Sequence, residues 1–285
     1  MGLSLRFWGT RGSIPSPGPL TARYGGNTPC IEVRGADGRL IILDAGTGLR
    51  GLGRWLDETS TVPISADILL THGHWDHIQG IPFFAPLFVK GTRIRIWGSD
   101  LLDRPLEAVV REQMAPVVFP VLFDTVAAKV EFCIVEVGKT YDLGCKISAL
   151  SVRHPGGALA IKILDGSNSA VFISDNELGA GGEMLPGATR GELVKFIRGT
   201  KVLIHDATYT AEEYPMHRGW GHSIPAEAVE LAIEAGSEQL VLFHHKPDRT
   251  DDEIDEMVRE CKLLVKKRGA RLSVVGATEG MTVNV

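Results

Sequence analysis

In the stretch Thr71-His72-Gly73-His74-Trp75-Asp76-His77, four side chains able to bind a metal fall within six residues. The apolar run Asp67–Thr71 delivers them, and Gly73 gives the backbone room to bend. In extended chain, His72 and His74 are two apart and point to the same side. Asp76 and His77 begin a helical turn and can face a second centre. Imidazoles joined by a carboxylate form a ligand set for zinc, manganese or iron. The chain around it reads as short strands alternating with helices, and in layered α/β folds chemistry collects where strands end and loops begin.

The rest of the chain fits this reading. Short apolar runs are predicted as strands at Leu3–Trp8, Cys30–Arg34, Arg39–Leu43, Arg93–Trp97, Val130–Val135, Lys146–Val152, Ala158–Leu164, Ala170–Ser174, Lys201–Ile204, Gln239–Phe243, Arg271–Val275 and Met281–Val285. Asp37-Gly38 marks a hairpin turn. Helical spacing or end signals place helices at Leu101–Met114, Arg190–Arg198, Ile224–Ala235 and Asp251–Lys267. The third is read with Ser223 as its cap, Pro225 in its first turn and Gly236 as its stop. The last carries acidic residues first and basic residues last, which complements the helix dipole. Polar residues recur at strand ends, namely Asp44, His72, His154, Asp175, Asp206 and His244, and suggest one site at one rim.

Composition narrows the function classes. The 285 residues are 44% hydrophobic and 23% charged, enough for a large core and too ordered for a coiled coil or a disordered chain. No linker, low-complexity tract or repeat interrupts them, so residues 1–285 are read as a single domain. A net charge of −5 argues against general affinity for a nucleic-acid backbone. Cys30, Cys133, Cys145 and Cys261 form no C-x-x-C pair, and the first three read as small core residues, which suits a reducing cytoplasm. The N-terminus lacks the pattern of a signal peptide, and no apolar run reaches the ~18 residues needed to span a bilayer.

The His72–His77 stretch is the H-x-H-x-D-H signature and resembles that of the metallo-β-lactamase-fold hydrolases. The resemblance extends over nearly the whole chain, because other motifs follow in order: Ile41-Ile42-Leu43-Asp44-Ala45-Gly46, then His154, then Asp175 in Ile173-Ser174-Asp175-Asn176, then His244 after Leu240–Phe243. It implies a four-layer αββα sandwich and two divalent metal ions, zinc first, with manganese or iron as alternatives. By the same resemblance His72, His74 and His154 hold one metal, Asp76, His77 and His244 hold the other, and Asp175 bridges them. His245 competes with His244, which stands in family register. Asp44 has two readings, an orienting partner for a ligating histidine or a plain turn residue.

Two further segments select a branch. Leu203–Thr208 resembles the H-E-A-T segment of tRNase Z-like phosphodiesterases, and Gly221-His222-Ser223 resembles their G-H-S-T segment. The catalytic pair implied is Asp206, with Asp in place of the usual Glu, orienting His222 near the leaving group. His205 is left as structural. With Asp175, these form the expected catalytic set, and a hydroxide bridging the two metals would be the nucleophile. True tRNase Z enzymes carry a protruding arm between the third histidine and the bridging aspartate, and Pro155–Ser174 has no room for one. Gly9–Pro15 and Arg23–Thr28 instead resemble small bacterial phosphodiesterases, including those acting on cyclic nucleotides. The expected substrate is therefore a small phosphodiester. The alternatives are a glyoxalase II-like thioester hydrolase and a tRNase Z-like nuclease.

Relatives that dimerise imply a homodimer; no membrane and no stable nucleic-acid partner are expected. Gly46–Gly51 resembles a phosphate loop without its Gly-Lys-Ser/Thr ending, and reads as a loop entering a helix. His217, Arg218 and Trp220 are candidates to line the substrate pocket, Arg218 by meeting a phosphate.

Overall fold

The computed structural model describes residues 2–59, 63–100 and 104–285. Its first half carries β1 (Ser4–Gly9), β2 (Cys30–Arg34), β3 (Leu40–Leu43), α1 (Gly48–Thr59), β4 (Ser65–Leu69), α2 (Trp75–Ile78), β5 (Arg93–Gly98), α3 (Leu106–Glu112) and β6 (Lys129–Ile134). The second half carries β7 (Thr140–Asp142), β8 (Lys146–Val152), β9 (Ala158–Asp165), β10 (Asn168–Ile173), α4 (Arg190–Ile197), β11 (Val202–Asp206), α5 (Pro225–Ala235), β12 (Gln239–Phe243), α6 (Asp251–Arg268) and β13 (Ser273–Gly276). The final strand, β14 (Thr282–Asn284), returns to pair with β1.

Two seven-stranded sheets result, in the orders β14-β1-β2-β3-β4-β5-β6 and β13-β12-β11-β10-β9-β8-β7. Each has three antiparallel joints on one side and three parallel ones on the other. Apolar residues of both sheets, among them Phe7, Ile31, Ile161, Phe172 and Phe243, form a core between them. The outer face of the first sheet is covered by α1 and α3 through Leu49, Leu52, Leu106 and Val110. That of the second is covered by α4, α5 and α6 through Leu193, Val229 and Ile254. This is the expected αββα sandwich of one domain. Strands β3, β11 and β12 are apolar and buried along nearly their whole length, as strands covered on both faces must be.

The predicted elements hold with small boundary shifts, and three differences have physical reasons. The helix expected from Leu101 begins at Leu106 among the described residues; Leu101, Leu102 and Asp103 lie outside them. The short edge strand β7 was not anticipated, because three residues carry no readable periodicity. Ser223 does not cap α5: the cap position is Ile224, without a side-chain hydrogen bond. Ser223 Oγ instead donates to the Asn176 carbonyl (2.6 Å) and accepts from the Leu178 N–H (3.1 Å). It ties the loop before α5 to the loop after β10. Cys30, Cys145 and Cys261 are buried and Cys133 half-buried, and all four are free. No helix among the described residues is long and apolar enough to cross a membrane.

Candidate metal centre

Strands β3, β4, β8, β10, β11 and β12 each lead to a polar residue at one shared rim. After β4 the chain stays extended through His72 and His74, then turns into α2, a single turn that holds Asp76 and His77. After β8 comes His154, after β10 Asp175, at the end of β11 Asp206, and after β12 His244. The structure brings all seven residues expected to hold metal into one cluster. His72, His74 and His154 place ligand atoms within 4.8 Å of one another, and so do Asp76, His77 and His244. Asp175 lies between the two sets, 3.2 Å from His77, 3.4 Å from His244, 3.7 Å from His154 and 3.9 Å from His72.

The cluster fits a cation. His72 Nε2, His77 Nε2 and Asp175 Oδ1 are buried without a hydrogen-bond partner. A buried polar atom left unpaired costs about 1–3 kcal/mol, and three pointing into one space mark a missing positive charge. The titration behaviour agrees. Burial holds His72 well below its ordinary pKa, and burial pushes His154 down to about 4, so both are neutral donors at pH 7. Burial opposes charge on His77 as well, but Asp76, Asp175 and Asp44 outweigh it and raise its pKa well above the usual value. A cation held there would compete with a proton on His77.

The ligand side chains are fixed from behind. His77 Nδ1 lies 2.8 Å from Asp44 Oδ2, and Asp44 is anchored by the Thr71 N–H (2.8 Å) and hydroxyl. Of its two readings, the orienting one matches the geometry. His154 Nδ1 lies 3.0 Å from the Gly221 carbonyl, and His244 Nδ1 lies 3.1 Å from the Thr208 hydroxyl. Asp44 and His244 both have positive φ, 57° and 58°, directly after β3 and β12. Side chains rarely adopt that backbone, and here it turns each residue from strand to rim.

Asp206 Oδ2 lies 2.7 Å from His222 Nδ1, while the Thr208 N–H and hydroxyl donate to Oδ1. The His222 ring stacks on His244 at 4.9 Å. Burial works against a charged His222, but Asp206 prevails and pushes its pKa up to about 9. His205 points away: its Nδ1 meets the Asp206 carbonyl and its Nε2 meets Asn176. His245 is buried against Tyr24 and the Ala277 carbonyl, outside the cluster. His217 stacks on Tyr209 at 4.2 Å, and Tyr209 meets His222 edge-on at 5.7 Å. Arg218 and Trp220 are exposed on the same loop.

Several contributors act through backbone and escape sequence reasoning. The Ser13 N–H donates to Asp76 Oδ2 (2.8 Å). A Cβ at Gly12 would fall 2.2 Å from the His244 ring, and one at Gly221 2.2 Å from His154 Nδ1. Only glycine lets these loops press on the two rings. Glu177, fully buried, accepts from the Tyr214 hydroxyl (2.7 Å), the Gly219 N–H (2.9 Å) and the Gly221 N–H (2.8 Å). It thereby holds the loop that backs His154 and leads into His222. The one signal available was Glu177 standing two residues after Asp175 on the same strand-end loop.

Comparison with known proteins follows the same lines. Residues 39–245 match the model of the beta-lactamase superfamily domain. Ribonuclease Z of Bradyrhizobium sp. (strain ORS 278) is 28% identical over 88% of this chain and 92% of its own. The metallo-beta-lactamase fold protein YhfI of Bacillus subtilis aligns over 100% of both chains with a TM-score of 0.74 at 19% identity. A diphosphatase from the PhnP family aligns over 99% of this chain and 98% of its own, with a TM-score of 0.68 at 19% identity. By the family match and the shared architecture, this chain belongs to the beta-lactamase superfamily and has the metallo-β-lactamase fold, a fold that implies divalent-metal binding.

Proposed function

We propose that the chain is a metal-dependent hydrolase of small phosphodiesters, with a cyclic nucleotide as the type of substrate. The observation that carries this reading is the Asp206–His222 pair at 2.7 Å, stacked against the metal cluster. His72, His74 and His154 would hold one divalent ion and Asp76, His77 and His244 a second, with Asp175 between them. Five imidazoles and two carboxylates are a donor set suited to zinc, with manganese and iron as the alternatives. When bound, such a pair activates water and neutralises charge on a phosphoryl oxygen.

The chain's own residues do the rest. Asp206 occupies His222 Nδ1, so Nε2 is the nitrogen that passes a proton. A phosphodiester leaves an alkoxide, and His222, kept protonated by Asp206, supplies the proton it needs. Asp44, the Ser13 N–H and Thr208 hold His77, Asp76 and His244 in place, so little reorganisation accompanies reaction. A thioester needs no such acid, because a thiolate is a good leaving group.

The ribonuclease Z relatives favour a second reading, cleavage of RNA. Against it stands the connection between His154 and Asp175: β9 and β10 form a hairpin whose Asp165 pairs with Asn168 across a two-residue turn. Nothing protrudes there to grip a folded RNA.

The test assays metal-loaded protein on an aryl phosphodiester, an alkyl phosphodiester, a thioester and a tRNA precursor. We expect both phosphodiesters to be cleaved. His222→Ala is expected to slow the alkyl ester by about 10²–10⁴-fold and the aryl ester far less. Equal losses on the two esters would remove the acid role. Cleavage of the thioester or the tRNA precursor alone would replace the reading.

A further inference from the structure

Beside the metal cluster, on the outer side of α2, lies a cavity of about 560 Å3 that the proposed chemistry leaves without a role. It falls in the size range of small-molecule sites. Trp75, Phe83 and Phe119 form its aromatic walls, and Gln79, Gln113 and Arg50 supply polar groups. Trp75 immediately precedes Asp76, yet its side chain turns away from the cluster and is 66% exposed. Phe83 is 56% exposed and meets Phe119 edge-on at 5.5 Å. Two large aromatic faces left open to water beside a catalytic rim mark a stacking surface rather than a core.

Gln113 supplies the second observation. Both its Oε1 and its Nε2 are buried and lack a hydrogen-bond partner. A carboxamide carries one acceptor and two donors, and leaving all of them unpaired has a cost that a native structure meets with a ligand or ordered water. The group that answers it presents a donor and an acceptor side by side on a flat edge. A nucleobase has that edge, and a glutamine amide pairs with it bidentately. Flat rings held between aromatic side chains and read along their edge are how proteins seat an unstacked base.

The cavity adjoins the pocket at the metal rim. Val109 lines it and also lines the smaller pocket that contains His72 and His74. A phosphodiester held at the cluster can therefore lay its attached ring across Val109 into the cavity. We propose that this cavity is the base subsite, with Trp75 stacking on the nucleobase and Gln113 reading its edge, so that the substrate is a nucleoside phosphodiester. The proposal rests on the phosphodiesterase reading above for the position of the phosphate, but base binding is measurable without turnover.

The experiment has two arms on the metal-loaded chain. In the first, adenosine, cytidine and ribose are titrated in a calorimeter. Saturable binding is expected with the nucleosides and not with ribose, weakened about tenfold or more by Trp75→Ala and restored by Trp75→Phe. Gln113→Leu, farther from the cluster, is expected to weaken it as well. In the second arm, a nucleoside 3′,5′-cyclic phosphate is compared with the same cyclic phosphate lacking the base. KM for the nucleotide is expected to rise about tenfold in both variants, and KM for the base-free ester to rise by less. Binding heat that never saturates, or that neither variant alters, overturns the subsite, whatever the enzyme cleaves. Saturable, Trp75- and Gln113-dependent binding in a protein that cleaves neither ester upholds the subsite and overturns the phosphodiesterase reading.

Discussion

The two halves of the molecule share a strand pattern and supply the site in opposite ways. The first half concentrates its ligands: His72, His74, Asp76 and His77 follow one strand, and their mutual geometry is set by a few local dihedrals. The second half distributes them, with His154, Asp175 and His244 leaving three different strands. Their spacing is set by sheet register, so it exists only when the whole sheet does. A local cluster is robust and conspicuous; a distributed one is exact only through the fold. The supports behind the ligands differ likewise. Asp44 touches His77 directly, whereas Glu177 acts on His154 through the backbone of a loop.

The sharpest way to break this comparison is Asp175→Ala, which removes the group between the two ligand sets. We expect loss of metal retention beyond the ten- to hundredfold typical of supporting partners, and no measurable turnover, read by metal content after dialysis and by phosphodiester assay. Retention of both metals would show that the two ligand sets suffice without the carboxylate between them. Next in size, Asp44→Asn is expected to lower metal affinity about ten- to hundredfold while leaving the dependence on leaving group intact, measured by chelator competition. Glu177→Gln, its counterpart in the second half, turns one carboxylate oxygen into a donor that faces the N–H groups it should accept from. About a tenfold loss of metal affinity is expected, this time with a steeper dependence on leaving group, because His154 and His222 move together. Tyr214→Phe removes one of the three donors and should give a smaller effect of the same kind.

Acid pH probes the halves through His77. Its pKa is raised, so a cation must compete with a proton there, and apparent metal affinity should fall as pH drops. Calorimetry in buffers of different ionisation enthalpy should show proton release on binding. The smallest effect belongs far from the site. Thr250 and Glu253 form a reciprocal cap at the start of α6. Thr250→Ala should cost about 1 kcal/mol of stability in thermal unfolding and leave metal binding unchanged.

The same contrast explains what could be read before folding. The His72–His77 stretch announces itself because four ligands in six residues leave little room for coincidence. His154 and His244 are ordinary strand-end histidines until a family pattern places them. Asp44 is ambiguous in sequence, because an orienting carboxylate and a turn carboxylate look the same; its φ of 57° and its contact with His77 separate them. Ser223 looks like a helix cap and instead ties two loops together, because tertiary partners outbid the local one. Gly12, Gly221 and the Ser13 N–H contribute space or backbone, which no residue type advertises. No repeat is visible in the sequence, although both sheets follow one joint pattern, since a pattern of pairing needs only apolar strands and not the same ones.

Arg11, fully buried, reaches the backbone carbonyls of Lys246 (3.1 Å) and Arg249 (2.6 Å), and so joins the first loop of the chain to the loop after β12, the last strand that feeds the site. On the ribosome, the growing polypeptide therefore displays its histidine-rich stretch long before the residues that complete it have been made. Until that late clasp forms, the histidine-rich stretch stands without His154, Asp175 and His244, and the full set of candidate ligands exists only in the folded chain.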